Sequence, residues 1–91
     1  MRLRPDQMTE IRITDTLDVT GHKCPLPVLR MRRALEKLPA GAILKILASD
    51  PMTQVDFPHF CRQAGHELLA VAKNESVFIF LVQKARNGNN E

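Results

Sequence analysis

The residues with the clearest chemical potential are a cysteine and two prolines in the run Cys24-Pro25-Leu26-Pro27. Prolines suit the first turn of a helix because their φ is already helical and their missing N–H would have no intrahelical partner. We therefore expect a helix that begins directly after Cys24, with the cysteine in the capping position that Ser, Thr, Asp or Asn usually occupies. A sulfur at that position would feel the positive end of the helix dipole, which favours its thiolate form.

Basic residues flank this cysteine along the sequence. Lys23 precedes it, and Arg30 and Arg33 follow in the predicted helix. Their positive charge would lower the pKa of the thiol, so we predict a thiolate fraction above that of a free cysteine. Cys24 is therefore the candidate nucleophile. The competing interpretation is that Cys24 is a small buried hydrophobic residue, which is the usual role of an unpaired cysteine.

The remaining cysteine and histidines limit the chemistry. Position 27 is a proline, so the Cys-x-x-Cys redox motif is absent, and a lone thiolate is suited to attack another sulfur, including a persulfide. Cys61 falls on the apolar stripe of a predicted helix and is expected in the core, which makes a disulfide with Cys24 the less favoured alternative. His22 and His59 each stand two residues before a cysteine, a poor spacing for zinc. We expect no metal or other cofactor.

The composition fits one small domain with an unevenly placed charge. The chain has 91 residues, 44% of them hydrophobic, and a net charge of +3. Residues 23–37 alone hold five basic residues and one acidic residue. This basic face could steer an acidic or phosphate-bearing partner, or it could be an ordinary solvated helix face. No apolar run reaches the ~18 residues of a membrane span and no signal peptide is evident, so we predict a cytoplasmic protein without membrane contact.

The elements that must position Cys24 follow from apolar periodicity. Strands are predicted at 17–19, 42–48, 66–72 and 77–83, with one helix after Cys24 and another after Asp50. The order β-α-β-α-β-β makes the first two strands a parallel pair with a right-handed crossover. Two helices can cover only one face of four strands. We predict a single α/β domain over residues 11–85, a flexible arm at 1–10 and a disordered tail at 86–91.

Two aspartates are predicted to cap helical turns. Asp50 precedes Pro51 in the pattern of a helix start. Pro58 follows too soon for one continuous helix, so we predict a single turn after Pro51 and a new start at Asp56. Gly65 would end this second, broken helix.

The run from Leu17 to Pro27 resembles the opening signature of the TusA/SirA-like sulfur-carrier family, in which Cys-Pro-x-Pro marks the sulfur-bearing cysteine. The likeness continues at residues 39–41, 50–51, 56–61 and 65–68. It implies a two-layer sandwich, with a four-stranded mixed sheet and both helices on one face. It also implies that Cys24 accepts a sulfane sulfur from a cysteine desulfurase or rhodanese-like donor, holds it as a persulfide and passes it to an acceptor protein.

In a sulfur carrier, the neighbouring residues would have roles that follow from their charge and their places at the helix starts. Lys23, Arg30 and Arg33 would bind partners and steer them to the cysteine. Structural support of the site would come from Pro25, Pro27, Asp50 and Asp56.

The destination of the sulfur stays open. Family members serve tRNA thiolation, molybdenum-cofactor maturation or sulfur oxidation. Leu26 departs from the glutamate that the tRNA-thiolation branch carries between the prolines, whereas Asp56, Pro58 and Cys61 match that branch. The alternative is a non-catalytic regulatory or protein-interaction module that uses the basic first helix, and a zinc-bound redox sensor comes third. The chain has no Trp or Tyr, and its Phe residues are expected in the core, so little supports direct nucleic-acid binding.

Overall fold

Six secondary-structure elements lie within residues 12–85, the part of the chain that the computed structural model describes. They are β1 (Asp15–Val19), α1 (Leu26–Glu36), β2 (Ile43–Ala48), α2 (Thr53–Ala64), β3 (Glu67–Asn74) and β4 (Val77–Gln83). This is the predicted order of strand, helix, strand, helix, strand, strand. The arm predicted for residues 1–10 and the tail predicted for residues 86–91 lie outside the described residues.

The four strands form one mixed sheet in the order β1-β2-β4-β3. β1 pairs in parallel with β2, with Asp15 opposite Leu44 and Val19 opposite Ala48, while β4 is antiparallel to both β2 and β3. The predicted mixed sheet is confirmed. Because β1 and β2 run in the same direction, the segments that follow them emerge at the same edge of the sheet. Those segments contain Cys24 and Asp50.

One face of the sheet carries the core. Alternate residues of the two central strands are buried, namely Leu44, Ile46, Ala48, Phe78, Phe80 and Val82. They pack against Met31 and Leu35 of α1 and against Phe57 and Cys61 of α2. The positions between them are half-buried. The strand predicted at 42–48 is thus fully buried only towards the helices.

The start of α1 differs from the prediction by one residue. The helix begins at Leu26 with Pro25 in the N-cap position, so the prediction that Cys24 caps it is wrong. A tight turn precedes the helix, because the N–H of Leu26 donates to the carbonyl of Lys23 at 2.9 Å. The Cys24–Pro25 peptide bond in this turn is cis. Pro27 is buried in the first turn, where its missing N–H breaks no helical hydrogen bond.

α2 is one continuous helix that passes through Pro58, so the predicted break and the new start at Asp56 are wrong. Thr53, Phe57 and Cys61 lie four residues apart and form one fully buried stripe. An interior proline costs a helix about 3 kcal/mol, and burying an aromatic side chain and its neighbours against the sheet offsets that cost. The helix ends as expected at Gly65, which adopts a left-handed φ of 83°.

The connection between β3 and β4 is shorter than the predicted spacer of residues 73–76. Lys73 and Asn74 belong to β3, which leaves Glu75 and Ser76 as a two-residue turn. Glu75 has a φ of 59°, in the left-handed region that two-residue hairpin turns require. The hydrogen-bonded pairing of β3 with β4 therefore continues up to this two-residue turn.

Candidate functional site

The loop between β1 and α1 brings Cys24 to the surface. After Val19, the last residue of β1, the chain turns through Gly21, whose φ of 86° favours glycine. The N–H of His22 closes this turn on the carbonyl of Val19 at 3.1 Å, and the N–H of Gly21 donates to Oγ of Ser49 at 2.8 Å. Cys24 is exposed, so the interpretation of this cysteine as a small buried hydrophobic residue is wrong.

Asp50 joins this loop to the start of α2. Its Oδ2 accepts the N–H of Cys24 at 2.7 Å, and its Oδ1 accepts the N–H of Met52 at 3.1 Å. The second bond caps the turn that leads into α2, and Met52 occupies the N-cap position of the helix itself. These N–H donors, with the positive charge of Lys23, hold the pKa of Asp50 below its ordinary value. One carboxylate therefore fixes the backbone at both helix starts.

Asp56 contacts the thiol itself. It lies in the first turn of α2 and is half-buried, and the Sγ of Cys24 donates a hydrogen bond to its Oδ2 at 3.2 Å. This hydrogen bond favours the neutral thiol and raises the pKa of Cys24, as do desolvation and the negative charges of Asp56 and Asp50. The predicted excess of thiolate is therefore wrong for the free protein. The acidic residues that raise this pKa come from a distant part of the chain.

The basic residues predicted to bind partners are all exposed. Lys23 acts on Asp50 through its charge. Arg30 and Arg33 lie on the outer surface of α1, and within residues 12–85 neither makes an ion pair. They are therefore placed to act on an approaching molecule rather than on the thiol.

Four apolar side chains at the starts of the two helices are exposed, and the sequence reasoning did not identify them as a group. Leu26 and Leu29 of α1 are 41% and 49% exposed, and Met52 and Val55 at the start of α2 are 47% and 62% exposed. We call these four residues the apolar rim. The sequence could have shown them as apolar residues in the first turns of the two helices that fall outside the buried stripe. Large exposed apolar side chains at two helix starts that one aspartate links are typical of protein contact surfaces.

The second cysteine is part of the core, as expected. Cys61 is 2% exposed, and burial raises the pKa of its thiol to about 11. Both cysteines are free, so the alternative of a Cys24–Cys61 disulfide is not found. Within residues 12–85, no group of three or more His, Cys, Asp or Glu side chains is arranged to hold a metal ion.

Comparison with known proteins gives a consistent result. A family model described as Sulfurtransferase TusA matches residues 15–84. A candidate sulfur carrier protein of Neisseria meningitidis serogroup B is 49% identical over 70 residues, which cover 77% of this chain and 95% of that protein. The sulfur carrier protein TusA of Pseudomonas entomophila is 39% identical over 77 residues, which cover 85% of this chain and 96% of that protein.

A solved structure supports the same fold. The crystal structure of a SirA-like protein from Desulfitobacterium hafniense matches with a TM-score of 0.70 and covers 79% of this chain and 99% of that chain. At 23% sequence identity, this likeness concerns the fold alone. It agrees with the predicted two-layer arrangement of a four-stranded mixed sheet and two helices.

The two-layer fold and the matches to sulfur carriers define the class of small α/β sulfur-carrier domains. Neither of the helices within residues 12–85 is long and apolar enough to cross a membrane. The chain belongs to the TusA family of sulfurtransferases, as the resemblance indicated.

Proposed function

We propose that this protein accepts a sulfane sulfur on Cys24 from a donor protein, holds it as a persulfide and relays it to an acceptor protein. The observation that carries the proposal is the placement of Cys24, which is exposed while its backbone N–H is fixed to Asp50 at the adjoining starts of two helices. Cys61 is buried and cannot reach the surface to form a disulfide with an incoming sulfur. A single accessible thiol is suited to holding a sulfur rather than to dithiol redox cycling.

The chemistry is a displacement at sulfur. In loading, the sulfur of Cys24 attacks the outer sulfur of the donor persulfide, and the donor's S–S bond breaks with its electron pair leaving on the donor sulfur. The products are a Cys24 persulfide and the donor thiol. Unloading is the same displacement with the acceptor as nucleophile and Cys24 as the leaving group. The exchange conserves the oxidation state of the system, so it consumes neither an oxidant nor a reductant.

The surface around Cys24 supports a protein as the exchange partner. The apolar rim would be covered on docking, which excludes water from the reacting sulfurs. Lys23, Arg30 and Arg33 would steer an acidic partner, such as a cysteine desulfurase or a rhodanese-like protein, to the site. The acceptor could belong to tRNA thiolation, molybdenum-cofactor maturation or sulfur oxidation, and Leu26 at the rim is the residue that departs from the first of these branches.

Intact mass spectrometry tests the carrier role. The protein is incubated with a cysteine desulfurase and cysteine, or with a rhodanese and thiosulfate, and then weighed. We expect the mass to rise by one sulfur atom, dithiothreitol to remove it, Cys24→Ser to abolish it and Cys61→Ala to retain it. If the wild-type protein gains no sulfur from either donor, the proposal fails. The alternative interaction module predicts that outcome, together with partner binding that Cys24→Ser leaves intact.

A matched charge reversal tests the role of the basic helix. Arg30→Glu with Arg33→Glu should lower the rate of loading from a desulfurase by roughly tenfold at low salt, and the difference should shrink as salt is added. Arg62 and Lys73, which are exposed on α2 and β3, provide the control, because Arg62→Glu with Lys73→Glu makes a charge change of the same size outside the first helix. Equal effects of the two changes on loading would remove the docking role of Arg30 and Arg33.

A further inference from the structure

The contact between Asp56 and Cys24 needs an explanation, because it works against the nucleophile. A carboxylate beside a thiol disfavours the thiolate, which is the form that attacks sulfur. The contact is direct, with Oδ2 of Asp56 3.2 Å from Sγ of Cys24. Its geometry is fixed on both sides, since α2 carries Asp56 and the hydrogen bond to Asp50 holds the backbone of Cys24. A resting arrangement that only suppressed the reactive form would slow every transfer.

We infer that Asp56 is the catalytic base of sulfur transfer, taking the proton of the Cys24 thiol as its sulfur attacks the donor persulfide. This inference rests on the proposed function. A general base must lie within hydrogen-bond reach of the proton that it removes, and the thiol already points at Oδ2. Asp56 therefore removes the barrier that its own charge creates, because it accepts the proton at the moment of attack.

The other carboxylate at the site is not available for this task. Both oxygens of Asp50 accept backbone N–H groups, from Cys24 and Met52, and its low pKa makes it a poor base. Within residues 12–85, the thiol of Cys24 is the one hydrogen-bond donor to the carboxylate of Asp56. The two aspartates thus have different roles: Asp50 holds the backbone, and Asp56 contacts the reacting atom.

The charged groups that face the sulfur come from two elements. Asp56 belongs to α2, and Asp50 belongs to the loop before it. On the cysteine's own loop, Lys23 acts electrostatically on Asp50, and His22 acts on Asp18. A docked partner that covers the apolar rim would remove water from this acidic site.

The proton and electron balance closes without another reactant. The proton moves from Cys24 to Asp56, the new S–S bond forms at Sγ of Cys24, and the electron pair of the broken S–S bond leaves on the donor sulfur. The protonated Asp56 then gives its proton to the donor thiolate, which leaves as a thiol. In unloading the same steps run in reverse, so that Asp56 protonates the sulfur of Cys24 as it leaves.

Asp56→Asn tests this role, because the amide keeps the shape of the side chain but cannot take up a proton. In a Cys61→Ala background, the ultraviolet absorbance of the thiolate reports the pKa of Cys24, and mass spectrometry reports the rate of loading from glutathione persulfide. We expect the pKa of Cys24 to fall and the loading rate at neutral pH to fall as well, by about tenfold or more. A general base typically raises a reaction rate by about 100-fold or more. A fall of one unit in the pKa of Cys24 would raise the thiolate fraction, and hence the rate, by at most about tenfold.

Two further variants control the experiment. Asp18→Asn removes the same charge from an exposed carboxylate that hydrogen-bonds Thr20, and it should leave both the pKa of Cys24 and the loading rate unchanged. Asp56→Glu keeps a carboxylate and should recover part of the loading rate lost in Asp56→Asn, which a purely structural role would not predict.

The outcomes separate this inference from the proposed function. Loading by Asp56→Asn that is as fast as wild type, or faster in proportion to its extra thiolate, would overturn the role of Asp56 while leaving Cys24 as the carrier residue. Wild-type protein that takes up no sulfur would instead overturn the proposed function itself. Slow loading of Asp56→Asn to the same final mass as wild type, with no uptake by Cys24→Ser, is the result that we expect.

Discussion

The backbone N–H of Cys24 donates a 2.7 Å hydrogen bond to Oδ2 of Asp50, which ties the loop after β1 to the loop after β2. The parallel pairing of these strands brings both loops to the same edge of the sheet. The other oxygen of Asp50 holds the turn that leads into α2. The position of the cysteine and the start of the second helix therefore depend on one side chain.

Replacing Asp50 should destabilise the protein, because Asp50→Ala leaves the N–H groups of Cys24 and Met52 without their acceptors. We expect the free energy of unfolding to fall by about 1–3 kcal/mol, measured by urea denaturation. Asp15→Ala is the matched control, since Asp15 is exposed and its carboxylate, among residues 12–85, bonds only the neighbouring N–H of Thr16. The link between the loops would be unimportant if the two variants lost the same stability.

The reactivity of Cys24 should depend on pH in a definite direction. Its pKa is raised, so the folded protein holds less thiolate at neutral pH than the unfolded chain. Alkylation of Cys24 by iodoacetamide should therefore be slower in native protein than in urea-unfolded protein, and the native rate should keep rising at pH values above the ordinary thiol range. Cys61→Ala protein isolates the signal of Cys24. Faster alkylation in the native state would contradict the acidic site.

Acid should weaken the corner at which β4 ends. The Nδ1 of His66 accepts the N–H of Ala85 at 3.0 Å, and burial together with the charge of Lys84 lowers the pKa of His66. The unfolded chain takes up this proton near a pH of about 6.5, whereas the folded chain resists it. This contribution to stability is thus complete above that pH and is lost as the pH falls below it.

Urea denaturation at neutral and mildly acidic pH measures that loss. His66→Asn, whose side-chain oxygen can still accept the N–H of Ala85, should show a smaller fall in stability between the two conditions than wild type. His59→Gln is the control, because His59 is exposed on α2 and its replacement should preserve the wild-type pH dependence. Identical pH dependence in the two variants would exclude His66 as the source.

Pro58→Ala should stabilise the protein, because it restores a helical N–H inside α2 and removes a ring from the carbonyl of Gln54. Removing the proline stabilises the helix by up to about 3 kcal/mol, but the greater freedom of the unfolded chain offsets about 0.4–1 kcal/mol of this. We therefore expect the free energy of unfolding to rise by about 1–2 kcal/mol. Pro51→Ala, in the turn before α2, should be neutral or slightly destabilising. A loss of stability in Pro58→Ala would show that the proline is required for the helix path.

The order of elements could be predicted from the chain because each element has its own period. The apolar spacing of α1 and the apolar run of β4 specify local structure, and the helix after Cys24 and the strand at 77–83 were both predicted. The wrong predictions concern positions where a local sequence rule conflicts with a tertiary contact. Pro58 predicts a break by its own chemistry, yet the buried stripe that includes Phe57 keeps α2 continuous.

The order of the elements and the motif around Cys24, which carries the likeness to the family, could be predicted from the chain because they depend on residue type and spacing along it. The raised pKa of the Cys24 thiol, in contrast, arises from contacts made in the fold. Asp50 and Asp56 lie 26 and 32 residues beyond Cys24, and only the parallel pairing of β1 with β2 brings them to it. Electrostatic interactions depend on distance in space rather than on distance along the chain. The neighbours of the thiol in sequence are basic, but its neighbours in the fold are two carboxylates, and these raise its pKa.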